Sequence, residues 1–76
     1  MVIGVTMITV IPGEERSVYN VLIKVPGVRE VFHVFGEYDF IAIIDVGSLS
    51  EINKTVDTIR ENEQVSSTKT IIGAEL

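Results

Sequence analysis

Val31-Phe32-His33-Val34-Phe35-Gly36-Glu37-Tyr38-Asp39-Phe40-Ile41-Ala42-Ile43-Ile44-Asp45-Val46 is the stretch that decides the fold. Two apolar runs, residues 31–35 and 40–46, flank the polar tetrapeptide Gly36-Glu37-Tyr38-Asp39. Val, Ile and Phe suit a pleated, half-buried backbone, and glycine supplies the backbone freedom a tight reversal needs, so the stretch reads as a β-hairpin. The turn carries a phenol and two carboxylates at a junction of rigid strands, where a polar cluster is held still. Turns also favour Gly and Asp for conformational reasons alone, so its content by itself does not separate a site from a turn.

Outward from the hairpin, the pattern repeats. Val2 to Ile11 is dominated by β-branched residues with no polar face, which predicts a central strand covered on both sides. Pro12-Gly13 ends it, and Glu14-Glu15 place negative charge where a helix start favours it. A helix to about Val25 follows, with Val18, Val21, Leu22 and Val25 forming one stripe, until Pro26-Gly27 stops it. The second strand runs from Val28 to Phe35 and the third from Asp39 to Val46. Ser48-Leu49-Ser50-Glu51 matches a capping box, so a second helix starts there with the stripe Leu49, Ile52, Val56 and Ile59. Glu61-Asn62-Glu63-Gln64 closes it, and Val65 to about Ile72 forms a last strand of edge-like composition. The order strand, helix, strand, strand, helix, strand is an α+β, ferredoxin-like βαββαβ chain: a four-stranded antiparallel sheet with both helices on one face.

Two helices cover only one face of such a sheet, yet the first and third strands are apolar on both. Six to eight large side chains are then left in one patch, the mark of an interface. Their burial is worth roughly 10 to 20 kcal/mol gross, against about 4 to 15 kcal/mol for association. A face-to-face homodimer with two-fold symmetry is expected.

The chain has 76 residues, no Cys and one His, so one domain is expected, without a disulfide framework or thiolate metal site. The opening apolar run is too short to span a bilayer and lacks a signal-peptide pattern; a cytoplasmic protein with no membrane partner is expected. Six bases against eleven acids give a net charge of −5 with no basic stripe, which argues against direct nucleic-acid contact. No phosphate loop, metal-ligand cluster or catalytic triad spacing is present, so the sequence predicts no cofactor and no enzyme. His33 alone has the chemistry of a general base, and a small dimeric α/β-barrel enzyme using it is one alternative. A purely structural interaction module is another. The hydroxyls of Ser66, Ser67, Thr68 and Thr70 either solvate an edge strand or serve a small zwitterion, since they donate and accept.

The run Val25-Pro26-Gly27-Val28, then Val31, then Gly36-Glu37-Tyr38-Asp39-Phe40, followed by a capped helix and Val65-Ser66-Ser67-Thr68-Lys69-Thr70, resembles the RAM domain. That is the ligand-sensing C-terminal module of the Lrp/AsnC transcriptional regulators, and the resemblance covers essentially the whole chain. It implies a dimeric α/β barrel, assembly of four dimers into an octamer, and an amino-acid effector bound where subunits meet. The matching ligand-binding positions are Gly36, Glu37, Tyr38 and Asp39, with Ser66, Ser67 and Thr68 as secondary candidates. On these positions the turn amides are expected to take the effector's carboxylate and Asp39 its ammonium. Full regulators carry an N-terminal helix-turn-helix domain, whereas this sequence starts on the first strand. Residues 1–76 therefore read as a single stand-alone RAM-like domain, linked to transcription through a partner such as a full-length Lrp/AsnC regulator.

Overall fold

A computed structural model describes residues 1–73, and six elements follow one another in it: β1 (Val2–Val10), α1 (Glu15–Leu22), β2 (Val28–His33), β3 (Phe40–Val46), α2 (Leu49–Arg60) and β4 (Val65–Ile72). The strands form one antiparallel sheet in the order β2-β3-β1-β4. This is the expected ferredoxin-like arrangement. The long β-branched β1 is central, pairing β3 on one side and β4 on the other, and the hydroxyl-rich β4 is an edge.

Period-2 alternation gives the sheet two different faces. Ile8, Phe40, Ala42 and Ile44 are fully buried beneath Val18 and Leu22 of α1 and Ile52 and Ile59 of α2. The other face has no helix over it. Val5, Met7, Ile41 and Ile43 lie at its centre in register, half-buried only by their own neighbours. Phe32 and Ile71 flank them on the edge strands, 49% and 53% exposed. The apolar patch anticipated from the two-faced strands is therefore present on the uncovered side.

The structure moves several boundaries. The hairpin turn is six residues, 34–39, because β2 already ends at His33 and β3 starts at Phe40. Gly36, at φ +130°, turns the chain with open space around its α-carbon. β1 stops at Val10, one residue before the predicted end. Helix α1 also stops early, at Leu22: the Lys24 and Val25 amides bond back three residues, to Val21 and Leu22 carbonyls, so the chain tightens instead of adding a turn. Val21, on the margin of the predicted stripe, is consequently exposed.

On α2, Leu49 is the first helical residue and lies clear of the sheet, exposed rather than buried. Its predicted place in the core is taken by Thr55, which follows Ile52 by three residues and precedes Ile59 by four. Burial of that hydroxyl is tolerated because it donates to the Glu51 carbonyl at 2.9 Å. The Thr55 side chain also packs on Gly27, whose φ of +95° sets the turn into β2. The cap of α2 is as predicted at Ser48, whose Oγ accepts from the Glu51 amide at 3.3 Å. Its reciprocal half is displaced by one residue, since Glu51 Oε2 accepts from the Gly47 amide at 2.8 Å.

Candidate functional site

The six-residue loop between β2 and β3 is held at one point. The Asp39 amide donates to the Ile8 carbonyl and the Asp39 carbonyl accepts from the Val34 amide, both at 2.9 Å. Asp39 Oδ2 accepts from the Val10 amide at 2.8 Å. The Ile8 carbonyl and Val10 amide point to the same side of β1, and β3 begins only at Phe40, opposite Ile8. The Asp39 carboxylate thus supplies the acceptor that a longer β3 would have given. Among the described residues, the amides of residues 35–38 have no hydrogen-bond partner and Asp39 Oδ1 accepts nothing. Gly36 and Glu37 are exposed, and Tyr38 is half-buried.

The hydroxyls stand on the opposite side of β1. A bulge between Thr9 and Val10 lets Ser67 pair with Thr9 while Val65 pairs with Val10, leaving Ser66 as the extra residue. Thr9 Oγ1 bonds Ser66 Oγ at 2.9 Å and also Ser67 Oγ. Thr68 and Thr70 point to the helix side, where Thr70 Oγ1 bonds the fully buried Thr6 Oγ1 at 3.0 Å.

Two adjoining hollows of about 300 and 310 Å³ run along β4 and α2. The first is lined by Ser66, Ser67 and Thr68, the second by Thr68, Thr70 and Asn53, and Arg60 borders both. The sequence reading missed Arg60; its signal was a lone base in the last turn of a helix that precedes the hydroxyl strand. A guanidinium next to several hydroxyls is suited to a carboxylate. No ion pair to Arg60 occurs among the described residues.

Within one protomer, then, the predicted residues form two groups. Gly36, Glu37, Tyr38 and Asp39 lie on the β3 side of β1, and Ser66, Ser67 and Thr68 on its β4 side. Both lie at the same end of the sheet, about two strand spacings, roughly 10 Å, apart.

His33 lies elsewhere, on the helix side of the edge strand β2, opposite Phe40. Its ring stacks on Phe40 at 4.9 Å and tilts against Phe35 at 5.3 Å. It lines an open cleft of about 580 Å³ between α1 and β2. Among the described residues no group of three His, Asp or Glu side chains is placed to hold a metal ion, and no helix is long and apolar enough to cross a membrane.

Residues 3–74 match the family model of the Lrp/AsnC ligand-binding domain. The HTH-type transcriptional regulator LysM of Sulfurisphaera tokodaii is 39% identical over 62 residues, covering 82% of this chain and 43% of the regulator. The chain therefore spans less than half the length of that relative. A homocitrate synthase of the same organism is 33% identical over 61 residues, which cover 74% of this chain and only 13% of the enzyme. The crystal structure of the hypothetical protein PHS023 from Pyrococcus horikoshii superposes with a TM-score of 0.90 at 28% identity, covering 100% of this chain and 93% of that one.

Proposed function

The chain belongs to the Lrp/AsnC ligand-binding-domain family, and from that premise we propose that it is an effector-sensing and assembly module that binds an amino acid where subunits meet. One observation carries the reading. The polar candidates form two half-sites, one of free loop amides with a free Asp39 oxygen and one of hydroxyls with Arg60, both at the same end of the sheet. Neither half encloses a ligand alone. Each complements part of a zwitterion.

In this reading the hydroxyls and Arg60 of one subunit, with the loop amides of another, take the carboxylate, and Asp39 Oδ1 takes the ammonium. The uncovered sheet faces pair two copies into a dimer, and further copies bring loops against β4 clefts. A ligand bound between subunits favours the assembly that forms its site, which is how occupancy becomes a signal.

The module itself makes no DNA contact in this proposal, because a net charge of −5 repels phosphates. The match to the LysM regulator leaves more than half of that protein for other work, and DNA contact belongs there, or to a full-length regulator that co-assembles. The shorter match within a homocitrate synthase fits a module that reports a ligand to different outputs. Binding is favoured over His33 catalysis because the relative at the highest quoted identity is a regulator.

Calorimetric titration with each of the common amino acids tests the proposal. The expected result is saturable binding of a few amino acids at one per protomer, weakened about tenfold or more by Arg60→Gln or Thr68→Val, since a hydrogen bond to a charged group is worth roughly 1.5 to 3 kcal/mol. Heat with no amino acid, or variants that bind as tightly as the parent, would contradict it.

A further inference from the structure

We propose that the cleft between α1 and β2 is a second ligand site, separate from the loop and hydroxyl half-sites, and that it takes an amino acid with an aromatic side chain. The cleft's floor is aromatic: Phe40 is buried, with His33 stacked on it at 4.9 Å and Tyr19 at 6.1 Å. Tyr19, on the α1 wall, is 37% exposed, so apolar ring surface faces the opening. At about 580 Å³ the cleft lies within the range of small-molecule sites. Offset and edge-to-face packing against such rings selects another ring.

The charges at the cleft complement the rest of that molecule. Glu15 and Arg16 both line it, adjacent in the first turn of α1. Neighbouring helix positions diverge, so these two do not face each other. Among the described residues Arg16 has no ion pair and Glu15 accepts only a long bond, 3.3 Å, from the Gly13 amide. A cation and an anion that do not neutralise one another match a zwitterion, Arg16 taking the carboxylate and Glu15 the ammonium. His33, Val31 and Phe40 share the helix side of the sheet, so pairing of the uncovered faces leaves this cleft open.

His33 is the single histidine, so its ring gives one unambiguous NMR signal. The test follows that signal during titration of the full chain with L-phenylalanine and with L-alanine. Saturable movement with L-phenylalanine is expected, with at least tenfold weaker response to L-alanine. Arg16→Gln and Glu15→Gln should each weaken L-phenylalanine about tenfold while keeping a dispersed, folded spectrum, and Thr68→Val should leave the response intact. A static His33 signal, or undiminished binding by both charge variants, would overturn the second site. So would loss of the response in Thr68→Val, which would assign the signal to the hydroxyl half-site. The outcome is independent of whether that half-site binds anything.

Discussion

The Asp39 carboxylate is committed to the Val10 amide through Oδ2 and keeps Oδ1 open. Its first role is structural, and removing it leaves a partly buried amide without an acceptor. Asp39→Ala is expected to cost about 1 to 3 kcal/mol in urea unfolding, while Asp39→Asn, which keeps an acceptor oxygen, retains most of that. If the Ala variant unfolds like the parent, the clamp is not real. The Asn variant then isolates the second role, since it should fold normally yet bind an ammonium more weakly. Sequence singled out Asp39 for its charge and position but not for the Val10 bond, because that depends on where β3 stops against β1. Gly27 was legible as a helix stop; what the sequence concealed is its crowding. At φ +95°, with an added β-carbon 2.7 Å from Thr55 Oγ1, Gly27→Ala should lose roughly 1 to 3 kcal/mol, and an unchanged melting midpoint would contradict that account.

Among elements, those with an uninterrupted local signal were readable and those set by tertiary packing were not. Helix α2 announced its start through Ser48 and Glu51, and Ser48 is its cap. Ser48→Ala should therefore cost about 1 kcal/mol and fray the first turn, measurable by unfolding and by faster amide exchange at residues 49–52. Protection unaltered there would show that the Gly47–Glu51 bond alone suffices. The stripe of the same helix was read as four apolar residues, yet packing on the Pro26-Gly27 turn exchanged Leu49 for Thr55. Periodicity locates a face and says nothing of which end of it meets the sheet. β4 was recognised as an edge from its hydroxyls, but the bulge opposite Thr9 and Val10, which gathers Ser66 and Ser67 on one hydroxyl, has no signature in the sequence.

For the whole molecule, the decisive asymmetry is that the sheet has one covered and one uncovered face, and this was legible because β1 and β3 alternate without a polar side. Met7 and Ile41, paired across β1 and β3, lie at the centre of the uncovered face. A charge buried there in a dimer is unsatisfied and costs several kcal/mol, so Met7→Lys should convert a light-scattering dimer to a folded monomer. A Met7→Lys dimer would place the interface elsewhere. Assembly and sensing are coupled in a site shared between subunits, and native mass spectrometry of the purified chain, alone and with each common amino acid, measures both at once. A dimer or larger even-numbered assembly that retains a few amino acids at one or two per protomer is expected. A monomer, or an assembly that retains none of them, would contradict it.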